Sequence, residues 1–204
     1  MRKLFLVIFF CLLTLVASAQ DQKAIIEQIN KVCAEMKTME CDFVQTKHLK
    51  ILNDKMVSEG KMSYKQPGSL RWEYTTPYTY SFILNDNKIV LKNNRRTDVI
   101  DINQNKMFKE IARIMMNSIV GKCLTDDKAF KTTIAETPAE WVATLLPQKK
   151  DMKQMWTKLI LHFDRKQKAV VRVEMFEKSG DFTVIELKNA RVNKAIDEKV
   201  FVVE

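Results

Sequence analysis

The sequence predicts an α+β fold built on one large antiparallel sheet, strongly curved and wrapped over its helices. Three observations carry that reading. Apolar residues recur at three- and four-residue spacing over residues 22–39 and 105–120, and alternate with polar ones through most of the remaining chain. Turn signals at Pro67-Gly68, Asn85-Asp86-Asn87 and Ser179-Gly180 join consecutive strands directly, as antiparallel pairing allows. The helix stripes and the strand faces are both apolar, so a flat, open arrangement would leave surface uncovered that a curved sheet buries.

The first nineteen residues read as a secretory signal. Arg2 and Lys3 precede the apolar run Leu4 to Val16, and Ala17-Ser18-Ala19 supplies small residues for cleavage after Ala19. The run is too short for a membrane span, and no stop-transfer pattern follows. Cys11 sits mid-run behind Phe9 and Phe10, not after small residues at its end, which argues against lipid attachment. Cleavage leaves 204 − 19 = 185 residues, 20–204, enough for one domain with a sizeable core. It also lowers the formal net charge from +9 to +7, because Arg2 and Lys3 are lost. The signal implies export. The remaining basic residues are scattered, with no dense Lys/Arg block and no aromatic-basic nucleic-acid motif. They serve solubility and a weak attraction to a membrane or a docking partner.

Ile25, Ile26, Ile29, Val32, Cys33 and Met36 place one apolar stripe on a helix over 22–39, with Asp21 as its N-cap. Residues 41–51 switch to period two, with Cys41, Phe43 and Gln45 on one face. A hairpin follows between Gly60 and Pro77. Met62 and Tyr64 alternate on one strand and Leu70, Trp72 and Tyr74 on the next, with Pro67-Gly68 suited to a type II turn. Strands are expected at Thr79–Leu84, Lys88–Lys92 and Thr97–Ile102. The helix over 105–120 carries Met107, Phe108, Ile111, Ile114, Met115 and Ile119 in one stripe, and Gly121 ends it. Thr137-Pro138-Ala139-Glu140 has the form of a capping box and predicts a short helix through Trp141 and Leu145, stopped by Pro147. The C-terminal part is again β. Leu159, Leu161 and Phe163 alternate, as do Val171, Val173 and Met175, then Thr183, Ile185 and Leu187. Phe201 to Val203 form a short last strand.

The chemistry is notable for what it lacks. No GxSxG elbow, P-loop, HExxH or GxGxxG occurs. Neither of the two histidines, His48 and His162, has a metal-ligand partner at helical or strand spacing, and Asp126-Asp127 reads as solvated charge. No enzyme, cofactor or metal is expected. Cys33, Cys41 and Cys123 are an odd number without zinc or CxxC spacing, and read as buried thiols, with one disulfide left open. What remains is an apolar sheet face and the helix over 105–120, where Met107, Met115 and Met116 add side chains that adapt to variable ligands. Binding of an apolar ligand fits this pattern better than bond chemistry.

The run Phe43-Val44-Gln45-Thr46, then Gly60, Lys65-Gln66-Pro67-Gly68, Leu70-Arg71-Trp72-Glu73-Tyr74 and Pro77, resembles the periplasmic outer-membrane lipoprotein carrier family LolA. The likeness continues through Leu145-Leu146-Pro147, Leu159, Leu161, Ser179-Gly180, Ile185, Asn189, Asn193 and Phe201, and so covers nearly all of residues 20–204. The resemblance implies an incomplete β-barrel whose concave face is covered by helices, around an apolar cavity for acyl chains. It implies an acylated lipoprotein as cargo, an inner-membrane ABC transporter complex as donor and an outer-membrane acceptor, with no cofactor. A monomer is expected. The family's best-known members carry an arginine just before the turn proline that ties the lid closed. Gln66 stands there in this chain, and Arg71 nearby alternates away from Leu70 and Trp72. The run Phe43–His48 is also similar to a branch associated with aryl-polyene or flexirubin-type lipids, an alternative cargo. A non-transport docking protein with a filled core is the alternative from another class.

Strand alternation nominates Met62, Leu70, Trp72, Tyr74, Phe82 and Leu84 for the cavity wall, and the helix stripe nominates Phe108, Ile111 and Met115 for the lid.

Overall fold

The computed structural model describes residues 22–167 and 169–202. The signal at 1–19, the Asp21 cap and Val203 lie outside the described residues. Helix α1 (22–35) is followed by six strands: β1 (Thr38–Leu49), β2 (Asp54–Lys65), β3 (Ser69–Thr76), β4 (Tyr80–Asn85), β5 (Lys88–Asn93) and β6 (Thr97–Asp101). Helix α2 (Lys106–Ile119) then leads to β7 (Phe130–Glu136) and β8 (Glu140–Pro147). A short helix α3 (Lys150–Met155) precedes β9 (Trp156–Asp164), β10 (Ala169–Glu177) and β11 (Phe182–Val192).

The strands form one 11-stranded sheet in the order β6-β5-β4-β3-β2-β1-β11-β10-β9-β8-β7, and each pairing is antiparallel. The edges β6 and β7 do not pair with each other, so the sheet is an incomplete barrel. Helix α2 connects those two edges. Its inward residues Ala112, Ile114 and Ile119, with Ile29 and Cys33 of α1, are buried against the alternating inward residues of the sheet. Two facing apolar surfaces, one with period 3.6 and one with period 2, make a single core. No described helix is long and apolar enough to cross a membrane.

Four expectations need correction. Helix α1 ends at residue 35, earlier than the apolar stripe, because Met36 donates its amide to the Cys33 carbonyl at 3.2 Å and Thr38 begins β1. The capping-box segment is a strand. Thr137 does accept the Glu140 amide through its hydroxyl at 2.9 Å, but its own amide donates to the Glu140 carbonyl at 2.8 Å and closes the β7–β8 turn. Beyond it Trp141, Ala143, Leu145 and Pro147 are buried at period two, so sheet burial overrides the local cap signal. The 66–68 turn is not type II: Gly68 is not among the residues at positive φ. Phe201 ends a 3₁₀ turn (Glu198–Phe201) capped by Asp197, whose carboxylate accepts the Lys199 amide at 3.0 Å. That turn lies on the outer face of β3 and β4, where the Val200 carbonyl accepts from Arg71 and the Phe201 carbonyl from Asn85.

The three cysteines are unpaired and buried. Burial pushes the Cys33 thiol up to about 11 and Cys41 and Cys123 to about 12.

Candidate functional site: an apolar cavity under helix α2

Register places the inward side chains of β2 to β5 in successive rows. Tyr64, Leu70, Leu84 and Ile89 form one row, Met62, Trp72, Phe82 and Leu91 the next, and Gly60, Tyr74 and Tyr80 the third. The first row is wholly buried, whereas in the third Tyr74 and Tyr80 are half-buried. The sheet therefore packs solid at one end and opens toward the end holding the β1–β2, β3–β4 and β10–β11 turns. Across the barrel, exposure rises the same way, from buried Val170 to half-buried Val173 and Met175 on β10, and from Leu159 to Trp156 on β9.

Between these walls lies a cavity of about 360 Å³, within the usual range of roughly 300–1,000 Å³ for ligand sites. Met62, Trp72, Tyr74, Tyr80 and Phe82 line one wall. Trp156, Leu159, Val170, Val173, Met175, Ile185 and Leu187 line the other, with Met39 and Gln45 of β1 between them. Ile114, Met115, Ser118 and Ile119 of α2 form the cover. No charged side chain is in the lining among the described residues. Gln45 Oε1 is occupied as acceptor by the Tyr74 hydroxyl at 3.0 Å. Burial pushes the Tyr74 and Tyr80 phenols up, so both stay neutral. The described wall can bury hydrocarbon.

Of the residues nominated from sequence, Met62, Trp72, Tyr74, Phe82 and Met115 line the cavity. Leu70 and Leu84 face the same way but sit one row deeper, in the packed core. Phe108 packs partly buried against the core and does not reach the lining. The side chain of Ile111 lies outside the described residues. The β9–β11 wall was legible as strands but not as lining, since nothing local tells which strands face each other across a barrel. A bulge decides one detail there. The β9–β10 register shifts between Val170 and Arg172, so Val170 turns inward in place of Val171.

The aromatic wall is built around Gly60. A Cβ there would fall on the Phe43 ring and on the Glu73 carbonyl. Its absence lets Phe43 lie across β2 and stack on Trp72, with an edge contact to Tyr74 at 5.2 Å.

Helix α2 is held from its polar side. Arg113 forks to Glu110 at 2.7 and 3.0 Å and reaches Asp126 at 2.5 Å, and Lys149 meets Glu110 at 3.3 Å. Arg113 holds the Glu110 carboxyl below its ordinary range, against the opposing effect of burial. Burial pushes the Tyr64 phenol up to about 12, with the Gln66 side chain acting against it. Arg71 is on the outer face, forked to Glu73 at 3.0 Å by two bonds. Among the described residues, no hydrogen bond or ion pair joins Gln66 or Arg71 to the cover helix. His48 stacks on Phe182 at 4.1 Å and His162 is bracketed by Glu140 and Glu174, and neither lines the cavity. No cluster able to hold a metal occurs among the described residues.

Residues 34–204 match the family model described as outer membrane lipoprotein carrier protein LolA. The outer-membrane lipoprotein carrier protein of Pseudoalteromonas translucida (strain TAC 125) is 24% identical over 192 residues, which is 90% of this chain and 82% of that protein. Among solved structures, an uncharacterized conserved protein from Thermus thermophilus superposes with a TM-score of 0.53 at 8% identity, covering 90% of this chain and 92% of the other. MucB superposes with a TM-score of 0.54 at 11% identity, covering 89% of this chain and 63% of MucB. At such identities the structural likeness concerns the fold.

Proposed function

This chain belongs to the LolA family of outer membrane lipoprotein carrier proteins, and from that premise we propose that it is a soluble periplasmic chaperone for acylated lipoproteins. It takes the acyl chains into the cavity under α2 and carries them from an inner-membrane ABC transporter complex to an outer-membrane acceptor. The observation that supports this reading best is the cavity itself, about 360 Å³ and without a charged side chain in its wall among the described residues. Each methylene moved from water into such a wall contributes about 0.8 kcal/mol. Even part of one acyl chain therefore binds by several kcal/mol, while the neutral wall adds no directional bond that would hinder release. Met62, Trp72, Tyr74, Phe82 and Met115 are the proposed acyl contacts. Leu70 and Leu84 pack in the core beside them, and Phe108 and Ile111 are the further lid residues proposed from the helix stripe.

The test is native mass spectrometry of the protein isolated from the envelope, with lipid extraction, beside uptake of a fluorescent fatty-acyl probe. A co-purifying acylated peptide and saturable uptake are expected. Extraction of a free polyene lipid in its place would reassign the cargo. Absence of lipid together with absence of probe uptake would overturn the carrier reading in favour of a docking protein.

A further inference from the structure

The β1–β2 hairpin reaches well beyond β3, and by one pair beyond β11, at the end where the cavity opens. Pairing of β2 with β3 stops at Glu59–Thr76 and pairing of β1 with β11 stops at His48–Phe182, whereas β1 and β2 stay paired to Leu49–Asp54. The turn beyond, residues 50–53, carries Ile51 and Leu52, 88% and 70% exposed. Met56 and Val57 on the stem are 50% and 45% exposed, and Tyr78 on the neighbouring β3–β4 turn is 48% exposed. Isolated exposed apolar residues are ordinary, but a cluster at a protruding tip marks a contact surface.

The chain connections at this end are predominantly basic. Lys50 lies in the hairpin turn, Arg95 and Arg96 between β5 and β6, Lys150 and Lys153 in α3, and Lys178 between β10 and β11. Some carboxylates among them are paired with cations, and others meet only backbone amides and keep their charge. Asp181 accepts the Lys50 amide at 2.9 Å and Asp54 the Lys55 amide at 2.7 Å. Glu177 pairs with Lys47 at 2.9 Å, Asp98 with Arg96 at 2.5 Å and Asp126 with Arg113 at 2.5 Å, leaving Asp54, Asp127, Asp151 and Asp181 against Lys50, Lys55, Arg95, Lys150, Lys153 and Lys178.

We infer that this hairpin is a membrane-contact finger. Ile51 and Leu52 enter the boundary between headgroups and acyl chains of an anionic bilayer, Tyr78 lies at headgroup level, and the surrounding lysines and arginines meet lipid phosphates. An exposed apolar tip with a cationic collar fits a fluid surface, which needs no preformed complementary pocket. Docked this way, the cavity mouth faces the lipid from which an acyl chain would slide in or out. That consequence rests on the carrier reading; the membrane contact does not.

The test measures co-sedimentation of the purified protein with vesicles of phosphatidylcholine alone and of phosphatidylcholine with phosphatidylglycerol. Binding to the anionic vesicles, weakened by salt, is expected. The double substitution Ile51→Ser with Leu52→Ser should lower it roughly tenfold or more and leave fluorescent acyl-probe uptake unchanged, since both side chains are exposed and outside the cavity lining. Equal vesicle binding by the variant, or none by the parent protein, would overturn the inference. So would a photo-crosslinker at position 52 that labels only protein when both membranes and envelope proteins are present. Loss of probe uptake by the parent protein with vesicle binding intact would strike the carrier reading alone.

Discussion

The ring of Phe43 on β1 stacks on that of Trp72 on β3, with centroids 4.2 Å apart and planes 24° apart, although β2 runs between the two strands. The contact exists because Gly60, the register partner of Phe43, offers no side chain to keep the ring away. Trp72 is thereby braced from behind while its other side forms cavity wall. The Gly60→Ala protein should be less stable by about 1–3 kcal/mol, since the added methyl meets a ring and a backbone carbonyl that cannot both give way. Urea unfolding of the two proteins measures it, and equal midpoints would show that the aromatic wall is not built on this glycine.

Val173 faces the void from the opposite wall. Its replacement by phenylalanine fills cavity space without displacing packed core. If the ring excludes about three methylenes of a bound chain, affinity for an acyl probe should fall by ~2.4 kcal/mol, or some fiftyfold, with little change in thermal midpoint. Fluorescence titration of the probe decides. Unchanged affinity would place the acyl site elsewhere.

The network on α2 gives the protein an acid-sensitive tie. Glu110 is held below its ordinary value of 4.5 mainly by the hydrogen bond from Arg113. Above that value the carboxyl is ionised in both folded and unfolded chains, and its contribution to stability is complete. As pH falls from about 4.5 through the lower folded value, the unfolded chain takes up the proton first and the contribution is lost. Glu73 behaves alike through Arg71. Denaturant midpoints between pH 6 and pH 3 should therefore fall less steeply in the Glu73→Gln, Glu110→Gln protein than in the parent, and parallel curves would dismiss the network as the source.

The thiols of Cys33, Cys41 and Cys123, buried and pushed up to between about 11 and about 12, should be inert in the folded protein. A thiol reagent at pH 8 is expected to modify none of them natively and all three in guanidinium without reductant. Native labelling would mean that the core around α1 opens, and failure to label after unfolding would mean that two of them are paired.

Much of the fold was legible because one-sided burial imposes a period on the residues. Met62, Trp72 and Tyr74 alternate without interruption, and the register leaves them on the cavity face. The stripe of α2 likewise brings Ile114, Met115 and Ile119 to the cavity. Legibility failed where a local signal has two outcomes. Thr137 and Glu140 make the hydrogen bond of a helix cap, yet the chain continues as β8, because Trp141, Ala143 and Leu145 gain more by lying on the sheet than a short helix would give them. At Val170 a single extra residue in the strand moved a side chain from one face to the other.

Residue type and spacing along the chain were enough for the α+β class, the apolar faces and the family. Where the core ends and the cavity begins is a property of the folded chain alone. Leu70 and Trp72 are two residues apart on one strand face, and both are apolar and inward. One packs solid and the other borders a void, because the opposing wall of β9 to β11 and the helix α2 close on the first row and stand off from the second. Distance across a barrel is set by curvature and by strands remote in sequence, and no local pattern records it.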